Sequence, residues 1–172
     1  MPSKRGLAVA AWAALLRCMR IAVDVMGGDH GPGVVVHGAL LALSVHPSIS
    51  AVHLVGRTDE IERALARLGP RDARVQIVHA SEVLTMDEKP LVALRRKRDS
   101  SIAKAVELLR QGEAEAMISP GNTGGVVAAA TIKLRRLGEV ERPAIFAVIP
   151  APENEFVLVD AGANVECRPF HL

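Results

Sequence analysis

A doubly wound α/β fold, in which helices cover both faces of a parallel sheet, is predicted by three features of this 172-residue sequence. Short apolar runs alternate with longer segments of helical periodicity, as in a chain that crosses a parallel sheet through helices. Glycine-rich loops follow two of these runs, and loops at strand ends carry the ligand sites of such sheets. Aromatic residues make up 2% of the sequence and hydrophobic residues 49%. Val, Leu, Ile and Ala must therefore build the core, which suits buried parallel strands.

The first half of the chain predicts three strands separated by helices. Each strand is a short apolar run that ends at a glycine or a polar residue; the runs are Ile21–Val25, Ala51–Val55 and Val75–Val78. Pro32 is suited to the first turn of a helix over Val34–Ser44. Asp59 is expected to cap the next helix, which has one apolar face and runs through Leu68.

The second half opens with a loop through Met86 and Pro90 and then predicts a fourth strand between two helices. Ser100 or Ser101 can cap the first of these helices, which ends at Gly112. The remaining predicted elements are a strand over Ala116–Ile118, a helix to about Leu137, and strands over Ala144–Ile149 and Glu155–Asp160. Prolines at positions 150 and 152 fit the turn of a hairpin between the last two strands.

The first eighteen residues are expected to lie outside this fold. Lys4 and Arg5 precede an apolar stretch, as in a short signal peptide, but Arg17 and Cys18 stand where a small-residue cleavage site would be. Met19 is followed at once by the first strand pattern. We therefore interpret residues 1–18 as an upstream extension and Met19 as the natural start.

Charge and cysteine usage exclude several classes of function. The net charge is +2, from 21 basic and 19 acidic residues, and no long basic stripe with interleaved aromatics is present, so no nucleic-acid partner is expected. Cys18 and Cys167 lack CxxC partners, which favours free thiols in a reducing cytoplasm. Cys167 and His171 alone are too few ligands for a metal site, and we expect no metal and no cofactor.

The most informative loop is Ser119–Gly125, with the sequence SPGNTGG, between the fourth strand and a helix. Its glycines permit close approach of a ligand, and the first N–H groups of the helix favour an anion such as phosphate. The candidate phosphate ligands in this loop are Ser119, Gly121, Asn122, Thr123 and Gly124. The alternative is a plain strand-to-helix turn that Asn122 or Thr123 caps, and the spacing alone leaves both open.

A second candidate loop follows the first strand and contains Asp24, Gly27, Gly28, Asp29 and His30. Asp24 lies within an apolar run and needs a hydrogen-bond partner there, which suggests that it organises a loop or a site. Asp29 can line a cleft or simply cap the helix near Pro32. His30 can shuttle a proton or be an ordinary exposed histidine.

Two further segments carry candidate residues. The run Arg95–Arg98 is either a solvated face or a patch that attracts phosphate or an acidic partner. Asp160 and Asn164 end the last predicted strand, where they can line the cleft or form an Asx turn.

Five segments of the chain resemble motifs of the PlsX family of phosphate acyltransferases. They are IAVDVMGGDHGP from Ile21, HASEVLTMDEKP from His79, LRRKRDSSI from Leu94, SPGNTGG from Ser119 and VDAGANVECRPFHL from Val159. They occur in the family's order and span Met19–Leu172. Pro120, Gly125 and Val25 depart from the family pattern, since alanine is usual at each.

The resemblance implies an enzyme that transfers a fatty acyl group from acyl carrier protein to inorganic phosphate, and the acyl phosphate then feeds phospholipid synthesis. It also implies a Rossmann-like α/β/α sandwich, similar to isopropylmalate dehydrogenases and phosphotransacetylases. A homodimer in the cytoplasm, loosely associated with the inner face of the membrane, is expected. Direct attack of phosphate on the thioester would need charge and a proton at the leaving thiolate. Our candidate catalytic residues for this reaction are Asn122, Lys97, Arg98 and His30, of which Lys97 or Arg98 would supply charge and His30 the proton.

Members of this family are considerably longer than this chain, so residues 19–172 are expected to form the amino-terminal part of a truncated PlsX-like domain. Three alternatives remain from the residues. One is a phosphotransacetylase-like enzyme that uses coenzyme A, and another is an inactive fragment that binds phosphate or carrier protein. A nicotinamide-dependent dehydrogenase is disfavoured because no GxGxxG follows the first strand.

Overall fold

The computed structural model describes residues 19–135, 144–152 and 154–159. These residues fall into two compact units, which divide after residue 134. The helices and strands alternate in the first unit, as predicted. The strands are β1 Met19–Asp24, β2 Ile49–Gly56, β3 Val75–His79 and β4 Ala116–Ile118. The helices are α1 Pro32–Val45, α2 Thr58–Ala66, α3 Pro90–Arg96, α4 Ser101–Arg110 and α5 Thr123–Lys133.

The sheet of the first unit is parallel and has the strand order β3-β2-β1-β4. The central strand β1 pairs with β2 from Met19 to Asp24 and with β4 from Ile21 to Val23. All the strands point the same way, so their carboxyl ends, and the loops that follow them, share one edge. The predicted α/β class is therefore confirmed.

Successive residues of each central strand face opposite layers of helices. Val23 of β1 lies in a cluster with residues of α1 and α2, whereas its neighbour Ala22 lies in a cluster with Ala105 and Leu108 of α4. A third cluster joins α3, α4 and α5 through Ala93, Ile102, Val106 and Ala129. This two-sided burial explains why the strands are continuous apolar runs.

The helix starts agree with the predictions at two positions and differ at two. Ser100 caps α4, because its side chain accepts from Ala103 N, and Asn122 caps α5. Asp59 does not cap α2: the capping position is Arg57, and Asp59 lies in the first turn, where it pairs with Arg63. Asp29 does not cap α1 either, since Gly31 holds that position with a φ of 75° and no side-chain hydrogen bond.

Helix α3 falls within a stretch that was predicted as loop and basic run. Pro90 starts it, and Arg95 and Arg96 lie in its last turn. Both are helix signals, because proline suits the first turn and cations favour the carboxyl end of the helix dipole.

The described residues of the second unit include a β-hairpin. Strands β5 Phe146–Pro150 and β6 Glu155–Val159 pair antiparallel, with Phe146 opposite Val159. The predicted hairpin is therefore confirmed. Within the described parts of the chain, no helix is both long enough and apolar enough to cross a membrane.

Candidate active site

The crevice beyond β1 and β4 is the switch point of the sheet. From β1 the chain proceeds to β2 and β3 on one side, and it then returns to β4 on the other side of β1. Ligands of open parallel sheets bind beyond the carboxyl ends of the two strands at such a point. The two loops that carry most of the predicted site residues meet here, since one follows Asp24 and the other follows Ile118.

A short chain of hydrogen bonds joins these loops. Ser119 Oγ donates to Asp24 Oδ2 at 2.7 Å, and Gly121 N donates to Ser119 Oγ at 3.1 Å. Asp24 Oδ1 accepts from Met26 N at 3.0 Å. Asp24 is fully buried, and burial of a carboxylate is tolerated only with such partners. Asp24 therefore holds the loop Ser119–Gly125, called the glycine loop below, in place through Ser119.

The side chain of Ser119 is committed to this anchoring. A hydroxyl has a single proton to donate, and Ser119 gives it to Asp24 while its oxygen accepts from Gly121. Ser119 thus supports the loop and does not offer a proton to phosphate in this arrangement. Ser119 and Asp24 are 95 positions apart in the chain, so no local sequence pattern indicates this bond.

Glycines allow the two loops to touch through their backbones. A Cβ atom on Gly27 would lie 2.5 Å from Gly121 Cα, and a Cβ atom on Gly121 would lie 3.0 Å from Gly27 Cα. Gly28 lies against Pro120, whose Cγ would be 3.5 Å from an added Cβ. The crevice floor is therefore formed largely by main chain, which a ligand can approach closely.

The amino terminus of α5 opens into this region. Thr123 and Gly124 are its first residues, and both are exposed. Among the described residues, no acceptor binds the backbone N–H of either. Such N–H groups, reinforced by the helix dipole, form a binding site for an anion.

Asn122 is the capping residue of α5 and is buried. Its Oδ1 accepts from Gly125 N at 2.9 Å, and its Nδ2 donates to Thr85 O at 3.0 Å. Both polar ends of the side chain therefore have protein partners, and Asn122 ties the loop after β3 to the glycine loop. A direct catalytic or phosphate-binding role for this side chain would require these bonds to break.

Close packing reinforces the connection between these two loops. An added Cβ on Gly124 would lie 2.7 Å from Pro90 Cγ, and one on Gly125 would lie 2.9 Å from Leu84 Cδ2. The segment His79–Pro90 and the glycine loop thus form one continuous surface.

Lys97 stabilises the same segment and is not free to act on a substrate. Its ammonium donates to Glu88 Oε2 at 2.6 Å and to Val83 O at 2.8 Å. The hydrogen bond from Lys97, together with one from Thr85 N, lowers the pKa of Glu88 from 4.5 to about 2. The predicted supply of charge by Lys97 to a leaving group conflicts with this ion pair.

Asp99 holds the beginning of the segment His79–Pro90 by binding Ser81. Asp99 Oδ2 accepts from the Ser81 hydroxyl at 2.7 Å and from Ser81 N at 2.9 Å. Lys104 pairs with the other oxygen at 3.0 Å. Hydrogen bonds from Ser81, supported by Lys104, lower the pKa of the Asp99 carboxyl.

The remaining predicted residues that the structure describes are exposed. Arg98 is exposed, and no carboxylate of the described chain pairs with it. Asp29 and His30 are exposed too. His30 lines a surface hollow with Arg63, Arg67 and other residues of α1 and α2, and no residue of the glycine loop lines that hollow.

Within the parts of the chain that the structure describes, no group of His, Cys, Asp and Glu side chains could hold a metal ion. Asp160 and Asn164 lie outside the described residues, and so do Cys18, Cys167 and His171. Their predicted roles stay predictions.

Comparison with known proteins agrees with the motifs. The profile of one protein family, described as Fatty acid synthesis protein, matches residues 19–172. The chain belongs to this family, the PlsX family. Phosphate acyltransferases of Lawsonia intracellularis and Pelotomaculum thermopropionicum are 45% and 47% identical to it over 152 and 154 residues.

This PlsX-family chain spans less than half the length of the curated relatives it matches. The alignments cover 88% and 90% of the chain but 43% and 44% of the two relatives. Among solved structures, a phosphotransacetylase from Streptococcus pyogenes superposes with a TM-score of 0.61 at 20% identity, over 92% of this chain and 53% of the other. The EutD phosphotransacetylase from Staphylococcus aureus gives a TM-score of 0.59 at 14% identity, over 92% and 52%. These two likenesses confirm the predicted Rossmann-like fold.

Proposed function

We propose that this chain binds inorganic phosphate beyond β1 and β4 and contributes to an enzyme that transfers a fatty acyl group from acyl carrier protein to that phosphate. The observation that supports the proposal is the exposed start of α5, where the N–H groups of Thr123 and Gly124 lie at the switch point of the sheet. The family and its relatives named phosphate acyltransferase support the choice of phosphate as the anion. The acyl phosphate product would feed phospholipid synthesis.

The loop residues take two kinds of role in this proposal. The backbone N–H groups of Thr123 and Gly124 and the hydroxyl of Thr123 bind phosphate. Gly121 has no side chain and can therefore pack against Gly27, which keeps the loop in place. Ser119 and Asn122 hold the loop in shape through the hydrogen bonds described above.

The reaction requires positioning and charge stabilisation. An oxygen of phosphate attacks the thioester carbonyl carbon, a tetrahedral oxyanion forms, and the carbon–sulfur bond then breaks with its electron pair passing to sulfur. Holding phosphate against the carbonyl removes much of the entropic barrier, and one well-placed donor to the oxyanion contributes about 3–4 kcal/mol. Arg98 is our candidate for charge near the departing sulfur, since Lys97 is paired with Glu88 and His30 lines a different hollow.

The binding step can be tested without turnover. In a nitrogen-15 NMR titration with inorganic phosphate, the amide signals of Thr123 and Gly124 should shift saturably. Thr123→Val removes the hydroxyl at nearly constant volume and should weaken phosphate binding. Thr131→Val is the matched control, because Thr131 lies on the same helix and its hydroxyl only bonds to Val127 O at 2.7 Å. Equal effects of the two substitutions would contradict the assignment of Thr123.

The catalytic step is tested by phosphate-dependent release of thiol from acyl carrier protein, with a thermal melt to show that the sample is folded. A parallel assay with an acyl coenzyme A thioester separates the two donors. A preference for coenzyme A would favour the phosphotransacetylase-like alternative. Phosphate binding without thiol release would favour a chain that binds and does not turn over.

Assembly and location are part of the same proposal. By its family, the chain is proposed to act as a homodimer in the cytoplasm, loosely associated with the inner face of the membrane. Sedimentation velocity and vesicle flotation measure these two properties directly. A monomer that does not float with vesicles would contradict this part and leave the phosphate site untouched.

A further inference from the structure

Helix α3 and the loop before it present a surface on which apolar and cationic side chains alternate. On one side of α3, Ala93 and Leu94 pack into the cluster shared with α4 and α5. On the other side, Leu91 and Val92 are 55% and 47% exposed, and Met86 on the preceding loop is 61% exposed. Four exposed cations accompany them, and the whole set, called the α3 surface below, is Met86, Lys89, Leu91, Val92, Arg95, Arg96 and Arg98.

Within the described residues, the cations of the α3 surface have no acidic partners, as is also true of Arg67 and Arg71. Arg57, Arg63 and Arg110 each pair with a carboxylate one turn away on their own helix. No described carboxylate pairs with Lys89 or with any arginine of the α3 surface.

Two acidic residues close in sequence to the α3 surface bind residues outside it. Glu88 pairs with Lys97, and Asp99 binds Ser81 and Lys104. Asp87 is exposed beside the α3 surface, and no lysine or arginine of the described segment 79–100 forms an ion pair with it. The surface therefore carries a net positive charge that the protein itself leaves unneutralised.

The α3 surface adjoins the proposed phosphate site. Pro90, the first residue of α3, lies directly against Gly124 at the start of α5. The loop that carries Met86 is tied to the same place, because Asn122 Nδ2 donates to Thr85 O. A partner that binds the α3 surface would thus be held beside the N–H groups of Thr123 and Gly124.

We propose that the α3 surface is the docking site for an acidic carrier protein that delivers its acyl thioester to the adjacent phosphate site. The proposal rests on the proposed function and adds the place of docking. Apolar side chains surrounded by arginines are typical of a protein interface, with an apolar centre and a polar rim. Arginine suits this use because its planar guanidinium pairs with carboxylates through two hydrogen bonds.

The chemistry favours a protein over a lipid surface. Helix α3 has 7 residues and exposes only Leu91 and Val92 as large apolar side chains, whereas the membrane binding of an interfacial helix increases with the apolar area that it buries. A carrier protein with acidic residues around an apolar patch would neutralise the arginines and cover Leu91 and Val92 together. Charge pairs of this kind act mainly by accelerating encounter and depend on salt.

Binding of purified acyl carrier protein to this chain, followed by fluorescence anisotropy, tests the proposal. The double substitution Arg95→Glu and Arg96→Glu should raise the dissociation constant about tenfold or more, and added salt should weaken wild-type binding. Leu91→Ser should weaken binding with little change in the salt dependence. Arg67→Glu is the matched control, because Arg67 is exposed at the end of α2, which packs on the other face of the sheet.

The outcomes separate this proposal from the proposed function. Weakening by the double substitution but not by Arg67→Glu, with the phosphate-induced shifts of Thr123 and Gly124 retained, supports docking at the α3 surface. Equal effects of both changes, or no carrier binding by a chain that still binds phosphate, overturn the docking site alone. Loss of binding to phosphatidylglycerol vesicles with carrier binding unchanged would identify the surface as a lipid contact and also overturn it.

Discussion

Gly27 and Gly121 meet backbone to backbone in the crevice between β1 and β4, and an added Cβ on Gly27 would lie 2.5 Å from Gly121 Cα. The contact brings the loop after β1 against the loop that leads into α5. Neither loop can move outward without also displacing Asp24 or Ser119, which are hydrogen bonded beneath the contact. Four predictions follow from this arrangement and from the bonds around it.

Gly27→Ala should lower the free energy of unfolding by about 1–3 kcal/mol, since the methyl group would force main chain apart in a packed region. Urea unfolding at neutral pH measures the change. Gly38→Ala is the control, because Gly38 lies within α1 and nothing lies within 4 Å of its added Cβ. That change should stabilise the chain by about 0.5–1 kcal/mol, as alanine does in a helix. A Gly27→Ala chain as stable as the wild type would show that the two loops can separate freely.

Ser119→Ala should destabilise the chain by about 1–3 kcal/mol, because it leaves the buried Asp24 carboxylate with one partner fewer. The comparison is Ser44→Ala, whose hydroxyl donates to Leu41 O on an exposed part of α1. That control should change stability by less than about 0.5 kcal/mol. Chemical denaturation of both variants gives the difference, and equal values would mean that Asp24 does not depend on Ser119.

Asn122→Ala should remove the cap of α5 and cost about 0.5–2 kcal/mol of stability. It should also release the loop at Thr85, so that the Gly125 amide loses its protection from hydrogen exchange. Ser100→Ala removes the cap of α4 in the same way and should leave Gly125 protected. If Gly125 stays protected in both variants, Asn122 does not hold the glycine loop.

Stability in acid should depend on the pair of Glu88 and Lys97. The pKa of Glu88 falls from 4.5 to about 2 on folding, so the pair stabilises the folded chain above pH 4.5 and this contribution is lost as the pH falls toward 2. Glu88→Gln should therefore reduce stability near neutral pH, and its difference from the wild type should shrink as the pH falls through this window. In a Lys97→Met background the same substitution should have a smaller effect, and the part that remains reflects the hydrogen bonds from Thr85 N and Oγ1 to Glu88. A difference that stays constant down to pH 2 would contradict the shift.

The sequence was sufficient for the elements whose signals are local. The strands β1 to β4 and the caps Ser100 and Asn122 are each specified by residues next to one another, and the structure confirms them. Helix α3 was missed although Pro90 and Arg95 mark its two ends, because the basic run was interpreted only as a charged surface.

The sequence predicted which loops meet, but not which bonds their side chains make. Strand order brings the loops after β1 and β4 together, and that follows from the fold class. Which side chains face inward depends on contacts far apart in sequence, such as Asp24 with Ser119, Asn122 with Thr85 and Lys97 with Glu88. No local pattern encodes these pairs, so the bonds by which Ser119, Asn122 and Lys97 hold the loops were not predicted.

Asp24 ends β1, which pairs with a neighbouring strand on each side. The proposed site is therefore attached to the part of the sheet that is best protected from local unfolding. Regions so placed exchange and unfold only with the whole cooperative unit, whereas loops held by surface contacts open separately. The glycine loop should thus take up its structure in the same step in which the sheet folds. On heating, phosphate affinity should persist until the sheet itself melts, without an earlier stage in which the chain is folded and the loop is lost.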